Sequence, residues 1–93
     1  MQANPDDSFI QHALALEYIK LENDSEARAL FENILSRNPS YVGSYYHLAK
    51  LLERSGENDA AIKICEKGME EAKKAGDQLA FNELQGIYDD LVY

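Results

Sequence analysis

Apolar residues along this chain recur three and four positions apart almost from end to end. That is the spacing of one helix face, not the alternation of a strand. Interruptions are few. Pro5 and Pro39 each follow an asparagine and cannot continue a preceding helix. The stretches ENDSE (22–26) and SGEND (55–59) hold the Asn, Asp, Ser and Gly that end and cap helices, and AGDQ (75–78) is a softer break. These breaks predict five helices, over about 7–21, 24–37, 41–54, 58–74 and 78–92. The connections are short enough to make consecutive helices antiparallel neighbours.

The pattern also repeats itself. With residues 4–36 laid over 38–70, at an offset of 34, Asn4, Pro5, Leu14, Ala15, Ala27 and Glu32 recur identically. Lys20 meets Arg54, Leu30 meets Ile64, Leu35 meets Met69 and Phe31 meets Cys65. The matches fall at breaks and at positions of buried type, so each copy reads as one helix–turn–helix unit. The alanines at 15, 27, 49 and 61 allow paired helices to approach closely, while Leu14, Leu48, Tyr18 and Phe31 fill the space beside them. One such unit cannot cover its own apolar face, so a neighbour or a cap must do so.

A 34-residue period with this residue pattern resembles the tetratricopeptide repeat. The second copy presents Tyr45, Leu48, Ala49, Leu52, Gly56, Ala61, Cys65 and Gly68 at the family's positions. The first presents Gln11, Leu14, Ala15, Tyr18, Ala27, Phe31, Ile34 and Pro39. Gln11 replaces the first aromatic, Glu22 stands at the turn glycine, and Ile34 takes a small-residue position. Lys73 replaces the closing proline of the second copy, so that helix can run on. Phe81, Leu84 and Tyr88 then repeat the spacing of a leading helix, with Gln85 at the small position. The resemblance covers about residues 4–91. It implies an all-α solenoid of antiparallel helix–turn–helix repeats in one domain, 1–93. Repeat one spans about 8–41, repeat two about 42–75, and a capping helix about 78–92.

The first helix has a second apolar stripe. At about 100° per residue, Leu14, Ala15 and Tyr18 share one side, while Phe9, Ala13, Leu16 and Ile19 lie roughly opposite with His12 at their edge. A surface helix needs only one such stripe. In the family this resembles, leading helices line a concave surface that binds peptides or extended segments of other proteins. Here that surface would comprise Phe9, His12, Leu16, Ile19, Tyr46, Lys50, Asn82 and Gly86. The apolar groups would anchor a partner, and Lys50 and Asn82 would meet its backbone or carboxylates. Gly86 would permit close backbone approach. The same stripe could instead be ordinary core beneath the last helix, or be buried in a homodimer. The lysine and asparagine clamp that some family members use on a C-terminal carboxylate is poorly matched, because His12 and Leu16 occupy the first unit's clamp positions.

Composition narrows the class of partner. The 93 residues are 45% hydrophobic and 28% charged, enough for one modest globular core. A net charge of −8 repels nucleic acid, and the densest basic group, Lys63, Lys67, Lys73 and Lys74, is interleaved with Glu66, Glu70, Glu71 and Asp77 as on a solvated helix face. No run is long enough for a membrane span, and MQANPDDSF lacks the basic-then-apolar pattern of a signal peptide. A lone cysteine, Cys65, excludes an internal disulfide and reads as a buried structural thiol. These features point to the cytoplasm.

Catalytic chemistry finds no constellation in the sequence. His12 and His47 fit no metal-ligand spacing. Adjacent carboxylates such as Asp89 and Asp90 diverge on a helix and form no shared proton site. Gly56 and Gly76 are isolated and form no phosphate-cradling loop. The expectation is a non-catalytic adaptor or scaffold that binds a protein partner, without cofactor, metal, nucleic acid or membrane.

Overall fold

The computed structural model describes residues 7–93. Asn4, Pro5 and Asp6, which open the first copy, lie outside them. Five helices follow: α1 (Ser8–Lys20), α2 (Asp24–Arg37), α3 (Gly43–Arg54), α4 (Asn58–Ala75) and α5 (Gln78–Val92). Asp7 fixes the start of α1 by accepting hydrogen bonds from the backbone N–H groups of Phe9 (2.8 Å) and Ile10 (3.3 Å). These are two of the amides that helix geometry leaves unpaired. Asn23 and Asp77 serve α2 and α5 in the same way. Helix α3 begins at Gly43, two residues later than the pattern suggests. Tight turns take up the intervening chain, with Tyr41 N bonded to Asn38 O (3.0 Å) and Ser44 N to Tyr41 O (3.2 Å). The Tyr45 hydroxyl then donates to Pro39 O (2.7 Å), closing that corner.

The two hairpin turns share one backbone solution with different residues. Gly56 has φ +82° and Glu22, its counterpart in the first copy, has φ +59°. Both bond back into the preceding turn, Asn23 N to Tyr18 O and Glu57 N to Leu52 O. Glutamate holds a left-handed conformation at a steric cost that glycine avoids. Glu22→Gly is therefore expected to raise stability by about 0.5–1 kcal/mol, moving the thermal midpoint upward by several degrees. A calorimetric scan checks this, and an unchanged or lower midpoint counts against strain at Glu22.

Helices α1 and α2 pair, as do α3 and α4. Helix α2 adjoins α3, and α5 rests on both α4 and α3. Helix α5 thus continues the row of leading helices. Ala15, Ala27, Ala49 and Ala61 are all fully buried, and around them close Phe31, Ile34, Leu48, Leu51, Leu52, Cys65, Leu84 and Ile87. Leu14 departs from its expected role in this packing: it is 45% exposed, whereas Leu48 is buried. Leu48 faces α2 across the repeat boundary, and among the described residues no helix precedes α1 to do the same for Leu14. Gln11, at the first aromatic position, is buried and accepts from Asn33 Nδ2 (3.0 Å).

Surface ion pairs link successive hairpins. Arg54 grips Asp24 with two bonds of 2.9 and 3.0 Å, and Arg28 bridges Glu32 (3.1 Å) and Glu57. No helix among the described residues is long and apolar enough to cross a membrane.

Candidate functional site

The face formed by the leading helices α1, α3 and α5 holds the residues singled out from the sequence. Phe9 projects from the first turn of α1 and is 68% exposed. Leu16 and Ile19, farther along the same side, are half-buried and rest on the core around Ala15 and Leu52. Tyr46 is half-buried on α3, against the core around Ala49 and Cys65. Lys50, one turn on, is exposed and pairs with Glu53 (3.6 Å). On α5 Asn82 is exposed and accepts from Gln78 Nε2 (2.8 Å), and Gly86 is exposed with open space where a side chain would begin.

His12 has a different environment. Its Nδ1 lies 2.9 Å from Ser44 Oγ, which ties α1 directly to α3. Its ring meets Phe31 edge-on at 5.4 Å, Tyr41 at 5.5 Å and His47 at 5.4 Å. His47 in turn stacks on Phe31 (5.7 Å, 9°) and receives the edge of Tyr46 (5.3 Å). The structure therefore brings His12 and Tyr46 into one aromatic cluster through His47, a residue that sequence reasoning left aside. A signal existed: His12 and His47 stand 35 residues apart, one beyond the repeat period, which places them on adjacent leading helices.

Burial pushes the pKa of both imidazoles below 6.5, and the neighbouring His47 lowers His12 further. A base held neutral in the fold but free to charge when unfolded favours the unfolded state as protons are added. The stabilisation is complete above the unfolded value near 6.5 and is lost as pH falls from there toward the depressed folded values. Denaturation midpoints are thus expected to fall between pH 7 and pH 5. A His12→Asn/His47→Phe variant should flatten that arm. An equally steep arm in the variant would place its origin elsewhere.

Other chemistry is sparse. The Cys65 thiol is fully buried, and burial, with Glu53 and Glu66 adding to it, pushes its pKa up to about 11. It stays protonated and unreactive at neutral pH. Among the described residues no group of three or more His, Cys, Asp or Glu side chains is placed to hold a metal ion. On the other side of α3 lies a groove of about 450 Å³ between α2 and α4, floored by Tyr45, Leu48 and Leu52 and walled by Leu35 and Ile64. The sequence reading did not find it.

A tetratricopeptide repeat family model matches residues 18–81. A tetratricopeptide repeat domain protein from Salinibacter ruber is similar to this chain both in its crystal structure and in solution. The crystal structure shows 44% identity over 91% of this chain and 94% of that one, with a TM-score of 0.88. The solution structure shows 42% identity over 97% and 91%, with a TM-score of 0.90. The solution structure of a Bordetella parapertussis protein is 25% identical over 98% of this chain and 89% of that one, with a TM-score of 0.81. No curated protein matches the sequence.

Proposed function

Since this chain belongs to the tetratricopeptide repeat family, whose domains serve as protein-interaction modules, we propose that it binds a segment of a partner protein along the α1–α3–α5 face. The observation that supports this is the incompletely covered apolar run on that face. Phe9 is largely exposed, Leu16 and Ile19 are only half-covered, and Tyr46 continues the run on α3. A partner's apolar side chains would gain by covering this run. Lys50 and Asn82, both exposed beside it, would orient the partner through a carboxylate or its backbone, and open Gly86 would let the backbone come close. His12 contributes by holding α1 to α3, so the surface arrives pre-formed. On this reading the protein is a non-catalytic adaptor or scaffold, working without cofactor.

Phe9→Glu and Lys50→Glu test this without disturbing the core, because both side chains are exposed. Proteins captured from a lysate of the native cell by the immobilised wild type should be lost from both variants. Their affinity, measured by calorimetry once a ligand is identified, should fall about tenfold or more. Undiminished capture by the folded variants rules out this face.

A further inference from the structure

One stripe of α1 remains after the proposed face is taken away. Ile10, Leu14, Glu17 and, just past the helix end, Leu21 fall within about 60° of one another around the axis. All four are exposed, Leu21 at 73%. One repeat later the same positions are Ser44, Leu48, Leu51 and Ser55, and the first three of these are buried. The second unit thus covers a stripe of the kind that the first leaves bare. Its only charge is Glu17, held by Lys20 (3.3 Å) in a largely exposed pair of the kind that contributes little and exchanges partners readily.

The α2–α4 groove is the complementary feature. Its floor and walls are apolar, and Arg28, Glu32, Lys63 and Lys67 stand around it. Arg28 and Lys67 are engaged by neighbouring glutamates. Lys63 is exposed and has no ion-pair partner among the described residues.

We infer that the chain associates head to tail with a second copy of itself, the Ile10–Leu21 stripe of one molecule seated in the α2–α4 groove of the next. Leu14 and Ile10 lie over Leu48 and Ile64, and Glu17 meets Lys63. The contact joins two different surfaces, both present on every copy, so it is heterologous and one junction leaves a free stripe and a free groove at the ends. One helix in one groove is a small interface, at the low end of specific contacts, so the association is expected to be weak. It does not depend on the α1–α3–α5 face.

Sedimentation equilibrium of the full chain tests the inference. The weight-average mass should climb from 10.5 kDa past twice that value as concentration rises to about 1 mM, and added salt should weaken the climb. Leu14→Glu, which spoils the stripe, should stay monomeric. So should Ser36→Glu/Lys63→Glu, which spoils the groove. All three positions are exposed, so unchanged circular dichroism is expected. Mixed in equal amounts, the two variants hold one intact stripe and one intact groove between them. They should form a 1:1 dimer that grows no further. A wild type that stays at 10.5 kDa overturns the inference, as does association undiminished in both variants or a mixture that stays monomeric.

Discussion

Gly68→Val is expected to abolish cooperative folding. Gly68 lies in the middle of α4, packed against Tyr45 of α3 and Leu84 of α5. A Cβ added there would stand 2.7 Å from Tyr45 Cβ, 2.9 Å from Tyr45 Cγ and 2.8 Å from Leu84 Cδ1. The leucine methyl could swing aside, but Tyr45 Cβ is fixed to the backbone of α3 and its ring is pinned by the hydroxyl bond to Pro39. Relief therefore requires the helices to separate. Alanine would gain about 1 kcal/mol of helix propensity at this site. Overpacking costs about 1–3 kcal/mol and more when backbone must move, so Gly68→Ala should lose net stability despite the better helix former. A domain of this size holds about 5–14 kcal/mol in all, so the second and third carbons of valine exhaust the margin. Urea melts followed by circular dichroism check both variants. A Gly68→Ala protein as stable as wild type would show that the approach of α3 to α4 is looser than the geometry indicates.

The same site explains two irregularities in the repeat pattern. By the 34-residue register Gln11 corresponds to Tyr45 and Ile34 to Gly68. Where the leading helix carries a tyrosine, the second helix carries no side chain at all. Where it carries the slimmer glutamine, an isoleucine fills the gap, fully buried. The smaller glutamine of the first copy thus yields part of the room that its isoleucine takes. Combining Tyr45→Gln with Gly68→Ile should accordingly recover part of what Gly68→Ile loses. A double-mutant cycle should give a favourable coupling of about 1 kcal/mol or more.

How far the structure was legible depended on whether a residue's partner lay within the repeat. Breaks at Asn23, Gly56 and Asp77 marked helix ends because caps and turns are local chemistry. The buried alanines were visible because identical residues recur at one period. Leu14 was misjudged because its exposure depends on what precedes α1, which no residue of the repeat encodes. The ring cluster was missed because His12 and His47 were each weighed as single residues on their own helices. The α2–α4 groove is made by the spacing between hairpins, a quantity that periodicity along one strand of sequence does not contain.

Phe31→Ala should produce the other large loss. Phe31 is fully buried and stands at the junction of both hairpins, edge-on to His12 and stacked on His47. Truncating a buried phenylalanine removes about 3–5 kcal/mol, a large share of what this domain has. The protein should be substantially unfolded at 37 °C, while Phe31→Leu, which retains most of the volume, should remain folded with a smaller loss. Two histidines report on whether the loss is local. Their pKa values lie below 6.5 chiefly because burial disfavours the charged ring. A cavity in place of Phe31 admits water beside both, so an NMR titration of the cooled Ala variant should find both values moved up toward 6.5. The acid-side loss of stability should shrink with them, because linkage requires the two to change together. A loss below about 1 kcal/mol, with both histidines titrating as in the wild type, would mean that Phe31 is not the centre of the cluster. The pre-formed junction between the leading helices would then need another source.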